Sequence, residues 1–178
     1  MKELRTFNTD QIKIVNDSVE IAEELVSNHY KMSASQWLHR KYDVKTLAAL
    51  NPDEIVHGHY AQIIRYKGQR KDTSLGSSTY DFYKICIQDH SILATLEQLY
   101  EMKQFSFILY IIVHELIHIV RFSKFLQSFD ASSEERMAEE ARVHEKTHEI
   151  LKTVRFSGLT DVLKFYNYSV SFDNLQNS

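Results

Sequence analysis

The chain is poor in everything that bends or staples a fold. It holds four glycines, one proline and one cysteine in 178 residues. So few turn formers argue for long helices and few tight turns. A lone cysteine, Cys86, excludes an internal disulfide and fits a reducing compartment. Nothing beside it marks an activated thiol, so it reads as a small packing residue. Excess positive charge is missing too. The net charge is −3 and the pI about 6.3, which speaks against a nucleic-acid binder driven by phosphate neutralisation. Residues 1–10 lack the apolar core of a signal peptide. The longest apolar run, 105–120, is interrupted by polar residues and falls short of a membrane span. The expectation is a cytoplasmic protein with no nucleic-acid or membrane partner; oligomeric state is not legible.

What is present is ordinary globular material. Apolar content of 43% against 25% charged residues is enough to close a substantial core around one domain, 1–178. That domain divides into an N-terminal helical part (1–58), a central part with the sheet and two site helices (59–155), and a C-terminal tail (156–178). In 8–30, Ile12, Val15, Val19, Ala22, Leu25 and Val26 form a helical stripe, with Asn8 or Thr9 as cap. Trp37 and Leu38 anchor the connection that follows. Residues 44–50 read as a short helix ended by Asn51-Pro52. Two strands, 60–67 and 79–88, flank the polar hairpin loop 68–78. In the second strand Tyr83, Ile85 and Ile87 share one face, and Phe82, Lys84 and Cys86 the other. A helix over 91–104 precedes the segment 105–122, apolar on nearly every face and so the buried centre of the domain. Ser132 and Glu135 form a capping box opening a helix over 132–154. One further short helix and a polar tail complete the chain. The fold class is α+β and predominantly helical, with a small antiparallel sheet or hairpin packed on the apolar helix.

The apolar segment carries His114-Glu115-Leu116-Ile117-His118. Histidines four apart stack on one helix face, so both imidazoles can reach one metal ion. Glu115 sits about 100° round the helix, placed to take a proton from a water on that metal without ligating it. Neutral imidazoles suit Zn²⁺, and two of them leave room for a third ligand and a water. Five letters with three fixed positions also arise by chance on charged helices. In an apolar helix, however, two histidines and a carboxylate are costly to bury without partners. His57-Gly58-His59 offers two more imidazoles on weaker grounds, as a bare pair before a strand.

The following helix offers the partners. With Met137 at zero and about 100° per residue, Ala141, His144, His148 and Leu151 share its apolar face, with Glu140 at the edge. On that wheel Glu139 and Glu135 turn toward solvent, and Glu134 and Glu145 lie on the flank. On the first helix, Tyr110 and Arg121 lie within about 40° of His114 and are candidates to steady an oxyanion. Each has a plainer reading, Tyr110 as a packed aromatic and Arg121 as a snorkelling helix-end cation.

The motif, in its uncharged and hydrophobic flanks, resembles that of the zincin metallopeptidases, over roughly residues 60–154. Glutamate-type zincins take a third ligand from the next helix, which implies Glu140 here, with His144 and then Glu139 as alternatives. An acid or polar residue one turn later supports the site in that family, the position His144 holds. The resemblance implies one Zn²⁺ per chain held by His114, His118 and Glu140. It also implies Glu115 as general base, and His144, Tyr110 or Arg121 as auxiliary catalytic groups. A peptide or protein substrate would lie along an edge strand, 79–88 before 60–67, under a lid at 68–78. The expected function is a small zinc-dependent metallopeptidase cleaving a peptide or amide bond. Two other readings compete. One is a silent zincin-like binding or regulatory domain with a structural metal. The other is a di-iron oxidoreductase, because Glu115-x-x-His118 and Glu145-x-x-His148 also spell the bundle-type di-metal element.

Overall fold

The computed structural model describes residues 3–33, 36, 42–69 and 79–176. Trp37, Leu38 and most of the expected lid, 70–78, lie outside them. Among the described residues the protein is mixed α+β and 59% helical, with five α-helices and a small three-stranded sheet, so helices do carry the architecture.

Helix α1 (Thr9–Tyr30) starts where the sequence offers a cap. Asn8 Oδ1 accepts from Gln11 N at 2.9 Å, and Gln11 Oε1 accepts from Asn8 N at 2.9 Å. This satisfies two N–H groups that a helix start leaves orphaned. Its buried face includes Val15, Ala22 and Val26. The expected helix over 44–50 is instead strand β1 (Tyr42–Lys45) followed by one 3-10 turn, Leu47–Ala49. Strand β2 (Ala61–Gln69) and strand β3 (Thr79–Ile87) pair antiparallel, Ala61 opposite Ile87 and Gln69 opposite Thr79. β1 then adds in parallel to the far side of β3, Tyr42 opposite Tyr83 and Lys45 opposite Cys86. The sheet is therefore mixed, in the order β1-β3-β2. A four-residue strand whose partner lies some forty positions away leaves no local periodicity to read. β3 is therefore central, and β1 and β2 are the edges, β2 the longer of the two.

Helices α2 (Asp89–Gln98) and α3 (Gln104–Ser123) follow directly. Asp89 is fully buried and ties three segments together, accepting from Phe7 N at 2.8 Å and Leu47 N at 2.9 Å. Burial alone would penalise a carboxylate there; the two backbone donors offset that cost. α3 is the hub, with α1, β2 and two later helices packed on it. Among the described residues it is the one helix long and apolar enough to cross a membrane, longer than the sequence reading allowed. Most of it is buried, and a core helix needs that apolarity to be enclosed on all sides. Helix α4 (Ser133–Leu151) opens with the expected capping box of Ser132 and Glu135. Helix α5 (Leu159–Gln176) is longer than the short element expected in the tail. One apolar cluster runs from Phe7 to Tyr166.

Candidate metal centre

α3 presents His114 and His118 one turn apart, and α4 crosses so that Glu140 meets both. His114 Nε2 lies 3.2 Å from His118 Nε2. The Glu140 oxygens lie 3.1 Å and 3.0 Å from those same two nitrogens. The imidazoles are 8% and 5% exposed, while the Glu140 side chain reaches in from an exposed stem. Three donor atoms converging this closely need positive charge between them. The separations are close to the roughly 3.3 Å edge of a tetrahedron whose ligands sit about 2.0–2.1 Å from a zinc ion. His/His/Glu with these atoms turned toward one point could hold a metal ion, and the donor chemistry fits a divalent one.

The electrostatics agree. Burial opposes a charged His118 ring, but the Glu140 hydrogen bond and the Glu115 and Glu140 charges carry it up to about 9. Glu140 is held far below the usual carboxylate range: its burial is overridden by hydrogen bonds and charge from the two histidines. The pocket attracts cations.

Orientation comes from behind. His118 Nδ1 lies 3.0 Å from Gln127 Oε1 in the α3–α4 loop. An amide oxygen accepts only from Nδ1–H, so Nε2 is the nitrogen turned to the cluster, able to ligate once it gives up its proton. His114 Nδ1 is buried with no partner among the described residues. Glu115, one residue on from His114, is outside the donor group and lines the same cleft. Burial raises its carboxyl above the ordinary value, against the opposing pull of His114 and His118. A carboxylate that grips a proton more strongly than usual is suited to act as a base nearer neutral pH.

Tyr110 and His144 form a second pair, Tyr110 Oη to His144 Nδ1 at 2.7 Å. Burial pushes the Tyr110 phenol up, so its O–H stays on and donates. Burial and the His114 charge push His144 down to about 3, so its ring stays neutral. With Nδ1 accepting, the remaining ring proton sits on Nε2 as a donor. Tyr166 of α5 stacks on Tyr110 at 3.8 Å and 9°, fixing the pair from the far side. A cleft of about 840 Å³ opens over these groups, walled by residues 58–63 at the start of β2 on one side and α4 on the other.

Three sequence expectations change. Glu139 does not face solvent: it is 4% exposed and pairs with Arg121 through both oxygens, and with Arg142 at 3.0 Å. Burial would raise it, but the two guanidinium groups hold it below the ordinary value. Arg121 is consequently committed to Glu139 and does not line the cleft. The buried face of α4 includes Glu139, Val143, Thr147, Ile150 and Leu151, whereas Met137 is 55% exposed and Ala141 is exposed too. On the wheel this face is centred about 110° from Met137. His144 is in the cleft but outside the donor group, so Glu140 alone of the three named candidates completes it. Glu145 is exposed and His148 packs edge-on against Tyr110, so the second letter-perfect motif does not form a second donor group. His59 lines the cleft, while His57 turns to His90. Gln127 and Tyr166 were missed, because a loop amide and an aromatic on a weakly patterned helix carry no site signature in sequence.

Comparison of the chain with protein-family models, with curated proteins and with solved structures finds no match.

Proposed function

We propose that this chain is a zinc-dependent hydrolase of zincin-like design that cleaves a peptide or amide bond. The observation that carries the reading is the convergence of His114 Nε2, His118 Nε2 and the Glu140 carboxylate within hydrogen-bond distance of one another, with Glu115 beside them in the same cleft. A structural zinc closes its shell with four protein ligands and needs no base beside it. Three ligands and an adjacent carboxylate fit a working site better. A bound zinc would polarise a carbonyl and make a coordinated water acidic near neutral pH.

The chain's own groups supply the rest. Glu115 takes a proton from the attacking water and passes it to the leaving amine. His144 Nε2–H, held by Tyr110, donates to the oxyanion as charge develops there. β2, open at its outer edge along the cleft, offers backbone hydrogen bonds to an extended substrate. The buried thiol of Cys86 is consistent with a reducing, cytoplasmic setting. With Glu145 exposed and His148 packed on Tyr110, the di-iron alternative lacks its second Glu-x-x-His element at the cluster.

The test is hydrolysis of a pool of internally quenched peptides by zinc-loaded protein. Cleavage that stops in Glu115→Gln with zinc retained supports the reading. No cleavage, or cleavage unaffected by Glu115→Gln, refutes it.

A further inference from the structure

A second hollow of about 330 Å³ adjoins the cleft and shares Phe122, Gln127, Ser128 and Phe129 with it. Its lining mixes aromatic side chains, Tyr83, Phe122, Phe125 and Phe129, with polar ones, Asp81 and Arg65 among them. Phe122 stacks on Tyr83 of β3 at 5.8 Å and 11°, and Phe129 packs on Phe122 at 5.2 Å. Arg65 caps one side, but its charge is spoken for: the guanidinium lies over the Phe129 ring at 4.7 Å and 3.6 Å from Asp130. The outer lip is Phe125 and Leu126, 95% and 55% exposed.

Phe125 is anomalous on folding grounds. α3 ends in a Schellman-type turn, with Leu126 N donating to Arg121 O at 2.9 Å. The residue at its turning point must be left-handed, and Phe125 has φ of 56°. Glycine takes that conformation freely, whereas a bulky L residue there costs about 1 kcal/mol. The usual compensation would be burial, and Phe125 has almost none. An exposed aromatic held at a strained position, with no gain to the fold, points to a ligand.

The register of β2 says which ligand. Ala61, Ile63 and Arg65 share the cleft-side face, because side chains two apart on a strand point the same way. Ala61 and Ile63 line the metal cleft, and Arg65 lines the hollow. A peptide paired along β2 repeats at about 7 Å per two residues, so a side chain beside the cluster and the next one on that face fall in the two cavities. We infer that the hollow is a specificity subsite for an aromatic or large aliphatic side chain two residues from the scissile bond. It rests on the peptidase reading for the kind of chain it receives, not for the hollow itself. Gln127 joins the two sites: it lines the hollow and holds His118, so a filled subsite braces a metal ligand.

The test uses the zinc-loaded Glu115→Gln protein, which binds without turnover, and acetylated, amidated alanine hexapeptides carrying one Phe at each position in turn. One position should bind roughly tenfold or more tighter than the all-alanine peptide. Phe125→Gly and Leu126→Asp should each remove most of that gain with zinc content unchanged. Phe125→Gly should raise Tm, since glycine relieves the strain, so lost binding there cannot be blamed on misfolding. No positional gain, or a gain that survives both substitutions, overturns the subsite. Adsorption to phosphatidylcholine–phosphatidylglycerol vesicles that Phe125→Gly abolishes, without any peptide gain, overturns it in favour of a lipid-facing loop. The two readings separate. A Phe gain with no hydrolysis by zinc-loaded wild type keeps the subsite and removes the peptidase. Hydrolysis blind to Phe does the reverse.

Discussion

Two buried polar clusters lie on opposite faces of the same small sheet, and they are built on opposite logic. On the outer face Glu54 is fully buried, and every neighbour is a donor. Lys84 Nζ lies 2.7 Å from both of its oxygens, Tyr66 Oη donates at 2.7 Å and Asn51 N at 2.8 Å. These bonds, Lys84 first, hold the Glu54 carboxyl down to about 2. On the inner face two imidazole nitrogens and a carboxylate point at one another, and His114 Nδ1 has no partner among the described residues. A satisfied network fixes a structure. Two imidazoles and a carboxylate converging on one point form a donor set that a metal ion can take in place of the protons.

That contrast can be broken most severely at Glu115. Glu115→Gln should cut peptide hydrolysis by about 10³-fold and leave zinc content and Tm untouched, because the carboxylate belongs to neither the ligand set nor any network. Glu54→Ala should do the reverse. Stranding Lys84, itself only 15% exposed, should cost about 3 kcal/mol of stability, read by urea denaturation, while zinc binding survives. The two clusters also differ in acid. The Glu54 carboxyl ordinarily titrates at 4.5 and in the fold at about 2. Its contribution is fully present above pH 4.5 and is lost as pH falls toward 2. Stability between pH 4.5 and 2 should therefore drop less steeply in Glu54→Gln than in wild type.

Smaller effects sharpen the comparison. Gln127→Ala leaves the fold's core alone but frees the His118 ring, and should weaken zinc binding about 10- to 100-fold with the metal-free Tm little changed. Smallest of all is Arg142→Ala. The Arg142 side chain is 61% exposed and Arg121 keeps Glu139 paired without it, so thermal melts should register under about 0.5 kcal/mol.

The inner cluster was largely legible in sequence and the outer one was not, for the same physical reason. His114 and His118 sit four residues apart on one helix with Glu115 between them, where spacing alone sets geometry. The wheel of α4 put Glu140 only at the edge of its face, and the resemblance to glutamate-type zincins is what implied it as a ligand. Glu139 was misjudged because Met137 and Ala141 look like the buried face of α4; only the partner Arg121, eighteen residues earlier on another helix, explains how a carboxylate came to be inside. Glu54 draws Lys84, Tyr66 and Asn51 from separate segments, and no local pattern encodes such a meeting. β1 was missed likewise: its four residues acquire meaning only beside β3. With β1 in place the edge moves from 79–88 to β2, and the expected substrate shelf moves with it.

The most direct measurement is zinc content by elemental analysis of wild type beside His118→Ala, Glu140→Ala and Glu54→Ala. A working inner cluster predicts about one zinc per chain, lost in His118→Ala and Glu140→Ala and retained in Glu54→Ala. A wild-type chain that binds no zinc, or one that keeps it when Glu140 is gone, would contradict the metal centre on which the proposed chemistry depends.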